Sequence, residues 1–159
     1  MEKMQRLYVR DFGPIQSCDI EIQRLTVMTG PQASGKSILA KLIYFFKLAQ
    51  QYIQSQTLSA VQIDKWLRSV FLRTFGDLTE LSDAMQIRYD FADEQWLEIT
   101  KGTYPQTRSQ TVLFRLSRDF GQSSEMVDAV YIPAGRSMIT LLSDSSQYCS
   151  QIQIVSCLS

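Results

Sequence analysis

Eight consecutive residues, Gly30-Pro31-Gln32-Ala33-Ser34-Gly35-Lys36-Ser37, carry the strongest chemical signal in this 159-residue chain. Their spacing is G-x-x-x-x-G-K-[ST], the P-loop or Walker A pattern. Gly30 and Gly35 let the backbone turn tightly around an anion with no Cβ in the way. Successive N–H groups from about Ala33 to Ser37 can then form a concave nest, reinforced by the positive end of a following helix. Lys36 is long enough to reach β- and γ-phosphates, and the Ser37 hydroxyl is a candidate ligand for the Mg²⁺ that bridges them. The candidate binding set for ATP and Mg²⁺ is Gly30, Pro31, Gln32, Ala33, Ser34, Gly35, Lys36, Ser37 and Ile38. Within it, Lys36 is the candidate catalytic residue and Ser37 the candidate metal ligand.

Such a loop needs a strand before it and a helix after it, and the flanking pattern supplies both. Leu25 to Thr29 is a β-forming run that Gly30 stops. From Ser37 the period changes to that of a helix: Leu39, Leu42, Ile43, Phe46, Ala49 and Ile53 mark one face, to about Tyr52 or beyond. The plain alternative, a Gly-rich turn with an exposed lysine, does not explain this placement. The dinucleotide pattern G-x-G-x-x-G is absent.

The rest of the chain reads as framework. Leu7 and Val9 alternate with Tyr8 and Arg10, Phe12-Gly13-Pro14 is a turn, and Ile20 and Ile22 mark a second strand. Ser59 and Gln62 have capping-box spacing before Ile63, Trp66, Leu67, Val70, Phe71 and Phe75, and Gly76 is placed to end that second helix. Met85 to Phe91, Gln95 to Lys101 and Thr111 to Ser117 then read as antiparallel strands. Ala92 to Glu94 and Gly102 to Arg108 are the expected turns, and Ala129 to Ile132 one more strand. Residues 1–142 are expected to form the phosphate-binding unit, and 143–159 a Ser-rich, irregular tail.

Composition narrows the chemistry further. There is no histidine, which excludes Ser-His-Asp and Cys-His machinery and any imidazole switch. The 16 basic and 16 acidic residues balance, which argues against a general electrostatic grip on nucleic acid. Lys65 and Arg68 could share a helix face, best explained as a solvated one. Cys18, Cys149 and Cys157 match no zinc or redox spacing. With no secretory h-region and no apolar run longer than Leu42 to Phe46, a soluble cytoplasmic protein without a membrane anchor is the expectation.

The segments LYVRDFGPI (7–15), DIEI (19–22) and LTVMTGPQASGKS (25–37) together resemble the start of an ABC-class ATPase head. More narrowly they are similar to SMC-like, RecF-like and OLD-like AAA-family ATPases, many of which serve DNA repair or anti-phage defence. Gln32 stands where that family commonly has Asn, and VYIPAGRS (130–137) is similar to a strand-plus-arginine segment of these ATPases. The resemblance implies an α/β P-loop NTPase fold, an ABC-ATPase-like first lobe with a mixed or antiparallel β region and helices after the P-loop. It implies a β region near the adenine, with Arg10 and Phe12 as candidates, although Phe12 suits turn packing better. Arg136 would sense a γ-phosphate or a partner, or serve as a surface or capping arginine. Two heads would form a homo-oligomeric, head-to-head dimer around nucleotide, with DNA or a nuclease as a possible further partner.

Departures from that pattern shape the functional expectation. A signature loop, a Walker B strand ending in Asp-Glu and a switch histidine are all missing, and Ile87-Arg88-Tyr89 before Asp90 is too polar for a buried Walker B strand. The chain therefore reads as the first lobe of a larger ATPase, binding nucleotide but hydrolysing it negligibly alone. Its two amphipathic helices are expected to leave apolar surface uncovered. A small P-loop kinase or transferase, and a non-catalytic module that holds a nucleotide, stay open as alternatives.

Overall fold

In the computed structural model, residues 4–23, 25–76, 81–91, 94–103, 108–120 and 152–156 are described. The architecture is mixed α/β. Strands β1 (Gln5–Phe12) and β2 (Ile15–Ile22) form a hairpin, and β3 (Leu25–Thr29) leads into α1 (Lys36–Ser55). Helix α2 (Ala60–Phe75) follows, then β4 (Gln86–Asp90), β5 (Trp96–Thr103), β6 (Gln110–Leu116) and β7 (Ile152–Ser156). Five strands make an antiparallel sheet in the order β2-β1-β4-β5-β6, while β3 and β7 pair in parallel.

Alternation decides which face of the sheet is covered. Leu7 and Val9 on β1, Ile87 and Tyr89 on β4, and Leu97 and Ile99 on β5 are all buried. Asp11, at φ 49°, breaks the alternation and turns Phe12 inward. Phe12 lies against Phe71 at 6.1 Å and Phe75 at 5.3 Å between ring centres. Turn packing therefore accounts for Phe12; its ring is core and unavailable to an adenine.

Both helices lie over this face. Helix α1 buries Leu39, Leu42, Phe45, Phe46, Ala49 and Ile53, and α2 buries Leu67 and Phe71. Rings knit the layers together: Phe45 meets Phe71 edge-on at 5.7 Å, and Phe46 stacks on Tyr89 at 5.1 Å. The helices' apolar stripes are thus covered by the chain's own antiparallel sheet, contrary to the expected sticky face. Among the described residues, Met4, Val61 and Leu113 are the exposed large hydrophobics.

The capping box of α2 forms as its spacing requires. The Ser59 hydroxyl accepts from the Gln62 N–H, the Gln62 side chain accepts from the Ser59 N–H, and Gly76 (φ 81°) ends the helix. Two expectations need correction. Gly102 and Thr103 belong to β5 instead of a turn; without a Cβ, Gly102 leaves room for the Leu113 side chain from β6. The segment read as irregular contributes β7, whose Ile152-Gln153-Ile154-Val155 run suits a strand once β3 offers an edge. The strand expected at Ala129–Ile132, with Arg136, lies outside the described residues.

Two outcomes test this core. Phe71→Ala, which removes a ring touching Phe12, Phe45, Phe75 and Phe114, should lower unfolding stability in urea by about 3–5 kcal/mol. Burial also holds the Tyr89 hydroxyl, which donates to Gln5 Oε1 at 2.8 Å, neutral well above the ordinary tyrosine range. Unfolded, that phenol ionises near about pH 10, so the stabilisation is complete below that pH and is lost as pH rises past it. Tyr89→Phe should therefore show a flatter alkaline loss of stability than the wild type; identical curves would show that Tyr89 is not the titrating group.

Candidate functional site

The loop between β3 and α1 has the geometry of an anion cradle. Gly30 leaves β3 at φ 146°, Ala33 sits at 62° and Gly35 at 87°, while Gln32, Ser34 and Lys36 keep negative φ. Alternation of sign along successive residues curls consecutive N–H groups toward one centre, which is the definition of a nest. Gly35 is also the N-cap of the 20-residue helix α1, with no side chain capping it and no acidic residue in the first turn. The helix's free N–H groups and its positive end are left for a ligand.

Side chains complete the loop. Ser34 Oγ donates to the Pro31 carbonyl at 2.9 Å, closing a tight turn. Lys36 folds back over it, its ammonium donating to Pro31 O and to Ser34 Oγ, the latter at 3.1 Å. Gly30, Pro31, Gln32, Ala33 and Ser37 are exposed, Ser34, Lys36 and Ile38 half-buried, and Gly35 buried. All nine expected residues thus form one continuous loop and first helical turn, with the lysine spanning its mouth. Ser37 is exposed at the rim of the loop. Among the described residues no group of three Cys, Asp or Glu side chains is placed to hold a metal.

Position matters as much as shape. The register sets Thr29 opposite Ser156, so the loop opens at the carboxyl ends of the two parallel strands, where open α/β sheets bind ligands. A cavity of about 370 Å³ lies elsewhere, between the C-terminal half of α1, the start of α2 and β6. Its lining is mostly apolar, with Ile53, Ile63, Phe114, Leu116 and Phe120, and its carboxylate, Asp64, is tied to Arg68 at 2.8 Å. It contains none of the loop residues.

Arg68 itself corrects a sequence expectation. Instead of lying on a solvated face with Lys65, it is largely buried and clamps α2 to the edge strand, donating to Val112 O at 2.7 Å, to Thr111 Oγ1 and to Asp64. Arg10, by contrast, is exposed on β1. No basic stripe results from the second helix.

No protein-family model, curated protein or solved structure matches the chain. No helix among the described residues is long and apolar enough to cross a membrane.

The unusual backbone at Ala33 gives a ligand-free test of the cradle. A non-glycine residue in the left-handed region carries a steric cost. Ala33→Gly should therefore raise urea-unfolding stability by about 1 kcal/mol, where glycine for alanine ordinarily lowers it. A loss of stability would mean that Ala33 does not hold a positive φ.

Proposed function

We propose that this chain binds a nucleoside triphosphate, ATP with Mg²⁺, through Gly30–Ile38, and that it is the nucleotide-binding lobe of an ABC-class AAA-family P-loop ATPase. One observation carries the reading: the sign-alternating backbone from Gln32 to Lys36, capped by an open helix N-terminus and spanned by Lys36. The five-stranded antiparallel sheet ahead of and behind the P-loop unit also suits the resemblance in 7–37. It weighs against a small kinase, whose helices would alternate with parallel strands.

In this reading each residue has a physical task. N–H groups of Ala33 to Ser37 hold phosphate oxygens, and Lys36 exchanges its contacts with Pro31 and Ser34 for the β- and γ-phosphates. The Ser37 hydroxyl would hold Mg²⁺, which would supply positive charge to offset that of the phosphates. Hydrolysis demands further groups that orient water and carry charge, so turnover by this lobe alone is expected to be negligible. The resemblance supports nucleotide-driven association of two heads, a cytoplasmic location and a DNA or nuclease partner; the balanced charge and the ion-paired, half-buried Arg68 add nothing to a DNA role.

Calorimetric titration with Mg-ATP tests the assignment. The wild type should give a saturable isotherm, and Lys36→Ala should bind at least about tenfold more weakly, the scale of one lost charge-assisted contact. Equal heats from the two proteins would remove the phosphate-binding reading. Nucleotide consumption that depends on an added small-molecule acceptor would point instead to a kinase.

A further inference from the structure

Two glycines at this site face each other's neighbours. A Cβ built on Gly35 would lie 2.6 Å from Ile15 Cγ1 and 3.1 Å from its Cδ1, with Pro14 Cγ at 3.5 Å. A Cβ on Gly13 would lie 3.1 Å from Ile38 Cδ1. The loop's glycine therefore makes room for the hairpin's isoleucine, and the hairpin's glycine makes room for the helix's isoleucine. Contacts this close leave no slack.

The hairpin side is rigid. Phe12 pairs with Ile15 across a two-residue turn, with Gly13 at φ 58° and Pro14 held near φ of about −65° by its ring. That sign pattern is the II′ turn, whose twist matches the strands it joins. Ile15 is buried, and Phe12 is anchored in the aromatic core. Gly35, meanwhile, is the second left-handed residue of the nest and the last residue before α1. Whatever fixes Gly35 fixes the direction of the neighbouring N–H groups.

We propose that the Gly13–Pro14–Ile15 turn is the seat of the phosphate loop, with Ile15 as a positioning residue that holds Gly35 in its left-handed conformation. This inference rests on the phosphate-binding reading above. It adds that the nest takes its geometry from the five-stranded sheet as well as from its own helix. Ligand affinity therefore depends on a side chain that touches no phosphate.

The test is a double-mutant cycle read by Mg-ATP calorimetry, with near-ultraviolet circular dichroism confirming the fold of each protein. Ile15→Ala should weaken Mg-ATP by about tenfold, and Ile15→Val, which keeps Cγ1, should bind more tightly than Ile15→Ala. Gly35→Ala should weaken it by about a hundredfold or more, through both the collision and the cost of φ 87°. Adding Ile15→Ala to Gly35→Ala should recover part of that loss, because the backbone cost is common to both backgrounds and cancels in the cycle. Strictly additive effects, or Ile15→Ala binding like the wild type, would overturn the seat while leaving the loop's ligand intact. A wild type that does not bind Mg-ATP would remove the underlying reading, and this one with it. Should Ile15→Ala not fold, amide NMR of Ile15→Val decides: displaced Ala33 to Ser37 resonances support the seat, and unmoved ones overturn it.

Discussion

Everything at the loop depends on how firmly α1 is held along its length. A helix whose first turn is left open to an anion forgoes the capping that would ordinarily stabilise its end. Its rigidity has to come from packing. Leu39, Leu42, Phe45, Phe46 and Ala49 supply that, pressing on the sheet and on Phe71 of the neighbouring helix. The aromatic layer and the exposed N-terminus are two halves of one arrangement: burial on the flank permits exposure at the tip. The contrast with α2 is instructive, because that helix ends in a full capping box and a glycine stop and presents nothing to a ligand.

Local features were largely legible in the chain. The loop, the capping box and the helix periods each involve residues a few positions apart, so spacing alone reports them. Ser59 and Gln62 behave as their separation demands, and Gly30 to Ser37 curl as their glycines allow. The antiparallel character of Met85 to Ser117 was also readable from alternation, because half-buried strands of that kind show their two faces in sequence.

What escaped was long-range. Nothing in the spacing of Lys65 and Arg68 reveals Thr111 and Val112, which come to Arg68 from a strand more than forty positions away. Phe12 reads as packing at a turn, but the rings it packs on, Phe71 and Phe75, arrive from α2 with no signal in its own neighbourhood. The turn at Gly13 was recognised as chemistry of its own, whereas its contact with Gly35 could be seen only once the hairpin and the loop were placed together. β1 pairs with β4 across the loop and both helices, so the sheet order is a tertiary fact with no local signature.

The pairing of β3 with β7 has a consequence for how the molecule assembles. Leu25 lies opposite Ile152, so residues 30–151 intervene between the two strands that frame the loop. Closing so long a connection costs roughly a few kcal/mol more in chain entropy than closing the β1–β2, β4–β5 or β5–β6 hairpins, whose partners are neighbours in sequence. The hairpins and helices can therefore organise early, while the parallel pair waits for Ile152–Ser156 to be synthesised and to return. The strand pair that frames the loop can close only once Ile152–Ser156 has left the ribosome.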